Sequence, residues 1–276
     1  MLPLWRNRVY IAISPGRISL VKLGRGLKPK LLAQFDEAVE PSGNTQAGWQ
    51  RAVDKLAHVL SLSEWHNADV DVVLSNRLVR FALISANTKL KKYAAKEAFA
   101  RHVMSQIYGA VSSQWSLRLQ QGKATEHCLA SAVDQALLDQ LKIICSNNKL
   151  KLDQVVPWLV PVFNQYRKQI KADPAWLVLN EPGASLCLLM KGGEIISVSN
   201  VNHESINDLP MLLDRENLVS TLADPCKTVY LYSPTAGNLS ATNMTGYLIN
   251  KFEMPSVNDF TANEYGPYAM LLGGVK

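Results

Sequence analysis

Two short turns combine residue types that could bind a nucleotide phosphate. Ser14-Pro15-Gly16 and Glu181-Pro182-Gly183 each separate two apolar segments, so each is predicted to form the tip of a β-hairpin. Backbone N–H groups at such a tip can bind phosphate oxygens, and a carboxylate such as that of Glu181 can help to hold Mg²⁺. The candidate nucleotide-binding residues are Ser14, Gly16, Arg17, Glu181, Gly183 and Ser185.

The two turns occupy equivalent places in a repeated pattern. When Pro15-Gly16 is aligned on Pro182-Gly183, the strand before, the strand after and the following glycine turn also match. Each Pro-Gly pair favours a type II turn, in which the glycine takes a positive φ. Three matched strands and two matched turns favour a duplicated lobe over two unrelated hairpins.

The surrounding periodicity predicts a two-lobed α/β protein with mixed sheets flanked by helices. In the first half, strands at 9–13, 18–23 and 30–35 form a meander that is followed by a helix over 45–62 and strands at 70–74 and 79–84. In the second half, strands at 176–179, 185–190 and 194–201 repeat it, followed by a helix over 208–222, a strand at 228–232 and a further element at 247–252. The polar segment Lys171-Ala172-Asp173-Pro174 places the boundary between lobes 1–172 and 173–276.

The first lobe is predicted to carry an inserted subdomain at about 88–132. It contains a basic helix over 89–108 and strands at 116–119 and 128–133. An exposed strand edge accepts an extended peptide by main-chain pairing, and nearby basic side chains favour acidic residues on that peptide. The alternatives are that the strands are fully paired and the lysines solvated, or that the helix contacts acidic lipid. The candidate partner-binding residues are Lys91, Lys92, Lys96 and Arg101.

Composition limits the other functional classes. The net charge of +6 is the only feature that suggests a nucleic-acid binder, because no stacking aromatics are interleaved with the basic residues. The four cysteines are widely spaced and are expected to be buried free thiols rather than metal ligands. No stretch approaches the ~20 apolar residues of a membrane-spanning helix, so we expect a cytoplasmic protein. Asp69 and Asp71 flank the start of a strand and are expected to be solvated.

A family resemblance adds to this interpretation. The order of elements, the segment 148–201 and the ending 267–274 resemble PilM-type pilus assembly proteins, the cytoplasmic domain of GspL-type secretion proteins and MshI-type pilus biogenesis proteins. The resemblance implies an actin-like ATPase (ribonuclease H-like) fold and a scaffold role on the inner-membrane platform of a type IV pilus or type II secretion machine. It also implies a partner, the cytoplasmic tail of a bitopic membrane protein, held between the core of the first lobe and its insertion. Membrane association would then be indirect.

The sequence departs from that family at the nucleotide site. The family has a carboxylate two residues before each hairpin glycine, but here Ser14 replaces the first and Glu181 is one methylene longer than aspartate. Pro15 and Pro182 each lack a backbone donor, and Ser233-Pro234-Thr235 replaces the adenosine-side Gly-Gly. We therefore expect no meaningful ATP hydrolysis and no bound cofactor, and we leave open residual nucleotide binding through Gly16, Gly183 and Ser185. The alternative is a divergent ATPase or small-molecule kinase that binds ATP and Mg²⁺ through Glu181.

Overall fold

The computed structural model describes residues 6–24, 26, 30–40, 48–85, 92–120, 127–234, 246–253, 268, 270 and 271. The described strands form two five-stranded sheets and one three-stranded sheet. The elements in chain order are β1 (Asn7–Ser14), β2 (Arg17–Leu23), β3 (Leu31–Ala38), α1 (Gln50–Leu60), β4 (Ala68–Leu74), β5 (Val79–Ile84), α2 (Tyr93–Tyr108), β6 (Trp115–Leu119), β7 (Cys128–Asp134), α3 (Gln135–Asn147), β8 (Lys151–Pro157), α4 (Leu159–Tyr166), β9 (Ala175–Glu181), β10 (Ala184–Lys191), β11 (Glu194–Asn202), α5 (Leu209–Val219), β12 (Thr228–Tyr232) and β13 (Leu248–Lys251).

The two five-stranded sheets have the same topology. Their strand orders are β3-β2-β1-β4-β8 and β11-β10-β9-β12-β13. In each sheet the first three strands in sequence pair antiparallel, and the two later strands run parallel to the first. The predicted duplication is therefore confirmed at the level of strand order and direction.

The duplication extends to the hairpin tips. Ser14 pairs with Arg17 and Glu181 pairs with Ala184, so Pro15-Gly16 and Pro182-Gly183 are the connecting residues. The residue after the third strand of each sheet donates its backbone N–H to the turn glycine. Val39 N lies 2.9 Å from Gly16 O, and His203 N lies 3.2 Å from Gly183 O.

The apolar pattern explains which strands lie in the centre. All seven residues of β4 and all seven of β9 are buried, as expected for inner strands that are covered on both faces. In α1, the buried residues recur at three- and four-residue steps and form one helical face. They are Ala52, Val53, Leu56, Val59 and Leu60.

The prediction that Asp69 and Asp71 are solvated is wrong. Each is about 5% exposed within β4. Arg6 Nη1 lies 3.3 Å from Asp69 Oδ1, and Arg8 Nη1 lies 2.8 Å from Asp71 Oδ2. Basic residues at the start of the neighbouring strand β1 thus supply the charge partners that allow buried carboxylates.

The three-stranded sheet has the order β5-β7-β6, with α2 on one face. Residues from α2 and all three strands share a small core, formed by Ala82, Ile84, Ala100, Met104, Leu117, Ala130 and Ala132. The chain divides into two compact units, one made of 1–79, 134–164 and 254–276 and the other of 80–133 and 165–253. We call residues 80–133 the inserted subdomain. The predicted lobe boundary near residue 172 stays a prediction.

Several element ends differ from the sequence prediction. The helix predicted over 89–108 begins at Tyr93, and the helix predicted over 208–222 spans Leu209–Val219. The element predicted at 247–252 is a strand, and Lys91 lies outside the described residues. None of the described helices is long and apolar enough to cross a bilayer.

Candidate functional site

The tip of the first hairpin is closed by bonds among its own residues. Ser14 Oγ donates to the carbonyl oxygen of Arg17 at 3.1 Å. Arg17 Nε donates to Asp36 Oδ1 on β3 at 2.7 Å, and Arg17 Nη2 donates to Asp36 Oδ2. Ser19 Oγ donates to the same Oδ1 at 2.7 Å. The hydrogen bond to Asp36 raises the pKa of Arg17, so two of the predicted phosphate ligands, Ser14 and Arg17, are bonded within the hairpin.

The two turn glycines differ in conformation. Gly183 has φ of +81°, in the left-handed region, whereas the φ of Gly16 is not positive. The predicted positive φ is thus confirmed at Gly183 and wrong at Gly16. Proline suits the first central position of a type I turn as well as a type II turn, and serine, here Ser14, favours type I when it precedes the proline. A Cβ added to Gly16 would meet only the carbonyl oxygen of Val39, at 3.7 Å.

The tip of the second hairpin carries a buried polar network. Ser185 Oγ lies 3.1 Å from Asn180 Oδ1 and 2.9 Å from His203 Nε2. Asn180 Nδ2 donates to Ser233 Oγ at 2.9 Å. Ser185 and Ser233 are each about 1% exposed. Because β9, β10 and the segments after β11 and β12 each contribute one side chain, the network ties four parts of the second sheet together.

Burial favours the neutral form of His203 in this network. It lowers the pKa of His203, while the negative charge of Asp208 acts in the opposite direction. A neutral imidazole suits a site where three of the four side chains are buried. The Ser185 hydroxyl is bonded to two side chains and shielded from solvent, so this serine–histidine contact is a structural link rather than a nucleophile with its base.

The chemistry available to a metal or nucleotide is limited at both tips. Glu181, the predicted metal carboxylate, is buried at the end of β9 and about 4% exposed. Within the described ranges, no group of three or more His, Cys, Asp or Glu side chains is placed to hold a metal ion. Ser14, Arg17 and Ser185 are each engaged by protein atoms. Three of the six predicted nucleotide-binding residues are therefore bonded within the protein through their side chains.

Comparisons with known proteins identify the fold. No family model and no curated protein matches the chain. A chain of a PilM–PilN type IV pilus biogenesis complex superposes with a TM-score of 0.68 at 13% identity, covering 96% of each chain. The cytoplasmic domain of EpsL, an inner-membrane component of the type II secretion system of Vibrio cholerae, gives 0.56 at 10% identity over 96% of this chain and 94% of that one.

A third match is a Bacteroides thetaiotaomicron protein with an actin-like ATPase fold and unknown function. Its TM-score is 0.60 at 11% identity, over 98% of both chains. The chain has an actin-like ATPase fold. This confirms the fold class that the sequence resemblance implied, and the PilM and EpsL domains are among the actin-like structures it is similar to. At such low identity the likeness concerns the fold alone.

The predicted partner site lies on the inserted subdomain of this actin-like fold. β6 is at an edge of its sheet, and β7 is its one strand partner within the described part of the chain. Arg101 on α2 reaches this edge, because its Nη1 lies 3.5 Å from the carbonyl oxygen of Trp115. Arg101 Nη2 also donates to Glu97 Oε1 at 2.9 Å. Among the described residues, β6 is therefore an edge strand, and its use as a partner site stays a prediction.

The other predicted partner-binding lysines lie along α2. Lys92 is exposed at the start of the helix. Lys96 lies close enough to Cys128 that its charge opposes the rise in the pKa of that thiol caused by burial. Residues that alternate with the core residues point away from α2. On that face of the sheet lie the half-buried apolar residues Leu83, Leu129 and Val133, beside the polar residues Ser116, Arg118 and Ser131.

Charge is concentrated in this subdomain. Residues 80–133 contain eight lysines and arginines and two acidic residues, a net charge of +6. That value equals the formal net charge of the whole chain. The excess of basic residues that the sequence shows as diffuse is therefore concentrated in one segment of the chain.

Sequence reasoning missed the Asn180, His203 and Ser233 side chains as part of a site. A signal existed for one pair, because Asn180 and Ser185 face each other across the hairpin in otherwise apolar strands. His203 and Ser233 gave no comparable signal. Their contacts join residues 18 and 53 positions apart, and no local pattern reports such a distance.

Proposed function

We propose that this protein is a cytoplasmic actin-like scaffold of a type IV pilus or type II secretion inner-membrane platform. Its inserted subdomain binds the cytoplasmic tail of a bitopic membrane protein. The observation that carries this proposal is the edge strand β6, which lies in a subdomain that holds the whole net positive charge of the chain. The similar structures named for a PilM–PilN complex and for EpsL, an inner-membrane component, support the setting.

The physical basis of tail binding is strand addition. An extended peptide pairs its backbone with an open sheet edge, and side chains on the two sides of the peptide provide specificity. Beside β6, Arg101 lies on the side covered by α2, and Arg118 is exposed on the strand itself. Acidic residues on the tail would meet these cations. On the side away from α2, the tail would lie beside Ser116 and Arg118 of β6.

The same proposal includes a degenerate nucleotide site. Phosphoryl transfer needs positioned magnesium and a preorganised electrostatic cradle. Arg17 is bonded to Asp36, and Ser185 is bonded to Asn180 and His203. The alternative, a divergent ATPase or small-molecule kinase, rests on the buried carboxylate of Glu181.

The test is co-purification of inner-membrane partners with charge-reversed variants. Lys92→Glu/Lys96→Glu changes two basic residues of the subdomain, and Lys168→Glu/Lys191→Glu makes the same change of net charge outside it. We expect the first pair to lose at least about ten-fold in affinity for the partner tail, and the second to bind as the wild type does. Circular dichroism establishes that both variants are folded. If Lys92→Glu/Lys96→Glu bound the tail as tightly as the wild type, the tail-binding site would not include α2.

A further inference from the structure

The basic side chains of the inserted subdomain surround it rather than line one groove. Arg80 lies on β5 and Arg118 on β6, and these strands are opposite edges of the three-stranded sheet. Lys92 and Lys96 lie on the helix that covers one face. A peptide strand added to β6 would lie beside one of these edges only, so Arg80, on the other edge, would not contact the tail.

Residues 80–133 contain few acidic residues. In the part of the subdomain that the structure describes, Glu97 is the one acidic residue, and it is paired with Arg101 at 2.9 Å. The subdomain therefore has a positive potential on several sides. A positive potential spread over a surface is matched by an extended anionic surface, such as a layer of lipid phosphates.

Exposed apolar side chains accompany the cations. Tyr93, directly after Lys92, is 48% exposed. Ile107, near the other end of α2, is 57% exposed, and Val111, three residues beyond that end, is 47% exposed. Tyrosine is enriched where proteins meet the headgroup region, since its ring is apolar and its hydroxyl polar. Basic residues mixed with exposed aromatic and aliphatic side chains are typical of peripheral membrane contacts. An acidic protein surface would gain less from these apolar groups.

We propose that the α2 side of the inserted subdomain binds the surface of an anionic bilayer directly, with Arg80, Lys92 and Lys96 against lipid phosphates and Tyr93 at headgroup depth. This goes beyond tail binding, because it gives the protein a membrane contact of its own. Each basic residue near an anionic membrane strengthens binding by about five-fold. Several weak contacts of this kind give a reversible, salt-sensitive attachment.

Vesicle flotation of the full chain tests the proposal. The probes are vesicles of phosphatidylcholine alone and of phosphatidylcholine with phosphatidylglycerol, each at about 50 mM and 500 mM NaCl. We expect binding to the anionic vesicles at low salt, loss of that binding at high salt, and none to the neutral vesicles. The absence of binding to anionic vesicles at low salt would overturn the proposal. Binding of soluble polyglutamate without binding to vesicles would do the same and would indicate an acidic protein partner.

Matched variants locate the contact. Lys92→Glu/Lys96→Glu is expected to weaken vesicle binding by more than about 25-fold, whereas Lys168→Glu/Lys191→Glu leaves it within about two-fold. Equal losses in both pairs would show that only total charge matters and would overturn the assignment to the subdomain. Arg80→Glu, on the edge away from β6, separates this inference from tail binding. It is expected to weaken vesicle binding about five-fold or more and to leave the affinity for a tail peptide unchanged.

The two proposals fail independently. Tail binding in solution with no vesicle binding would overturn only the membrane contact. Vesicle binding without any tail partner would overturn only the proposed scaffold function. Each outcome is measured on the same purified chain, so differences in folding do not enter the comparison.

Discussion

Arg17 holds Asp36 by two hydrogen bonds, one from Nε at 2.7 Å and one from Nη2. The pair joins the start of β2 to β3 directly below the first hairpin tip. An arginine at this position could instead have bound a phosphate in bidentate fashion. Here its charge is neutralised by a carboxylate that also accepts a hydrogen bond from Ser19.

We therefore expect Arg17→Ala to have no effect on nucleotide affinity. Isothermal titration of the wild type, Arg17→Ala and Glu181→Ala with Mg-ATP should show no saturable heat, and a phosphate-release assay should show no turnover above buffer. The physical reason is that the side chains of Ser14, Arg17 and Ser185 are bonded to other protein atoms, whereas phosphoryl transfer needs groups positioned to bind the phosphate and its metal. Turnover by the wild type that disappears in Glu181→Ala would instead establish the divergent enzyme.

The two hairpin glycines should respond differently to alanine. Gly183→Ala places a Cβ at φ of +81° and should lower the free energy of unfolding by about 1–2 kcal/mol. In Gly16→Ala the new Cβ meets only the carbonyl oxygen of Val39, at an ordinary contact distance of 3.7 Å. This substitution should change the free energy of unfolding by less than about 1 kcal/mol, since alanine also restricts the unfolded chain. Urea denaturation measures both. Equal losses at the two positions would contradict the difference in turn conformation.

His203 should make stability depend on pH. Burial lowers its pKa in the folded state, so between that value and its unfolded value near 6.5 the unfolded chain binds more protons. Stability should therefore be fully present above about pH 6.5 and fall as the pH drops below it. The readout is the unfolding free energy of the wild type minus that of His203→Gln at pH 7.5, 6.5 and 5.5. A difference that does not change with pH would show that His203 is not held neutral by the fold.

Lys92 should strengthen binding to anionic vesicles and lower the stability of the fold. It occupies the N-cap of α2, where its side chain makes no capping bond, and the first turn of the helix has no acidic residue. Lys92→Asp supplies a cap and should stabilise the fold by about 0.5–2 kcal/mol, while it weakens binding to anionic vesicles. Lys92→Ser is the control that caps the helix without adding negative charge. Weaker binding in a more stable variant cannot result from unfolding.

If Lys92→Asp bound vesicles as tightly as the wild type, the lysine would have no part in the membrane contact. If Lys92→Asp and Lys92→Ser were both less stable than the wild type, interactions other than capping would hold the start of the helix. Thermal unfolding and vesicle flotation on the same preparations separate these outcomes.

Local pattern was sufficient for the strands and for the repeat. Each Pro-Gly turn lies between apolar runs, and strand length and direction follow from that arrangement. The misjudged features depend on residues far apart in the chain. Asp71 is buried because Arg8, 63 positions away, lies beside it. The network at the second tip brings Ser185 to His203 and Asn180 to Ser233. The first turn also differs because of a local residue. Ser14 favours a type I turn, in which Gly16 has no positive φ, whereas the Pro-Gly pair by itself favours type II.

The concentration of charge in residues 80–133 has a consequence for handling the protein. Outside this subdomain the chain keeps 21 of its 29 basic residues and 21 of its 23 acidic residues, so a chain that lacked it would have no net charge near neutral pH. Proteins without net charge lack the mutual repulsion that opposes precipitation. The subdomain proposed to bind partners thus also keeps copies of the protein apart, and its removal should lower the concentration at which the purified chain begins to aggregate.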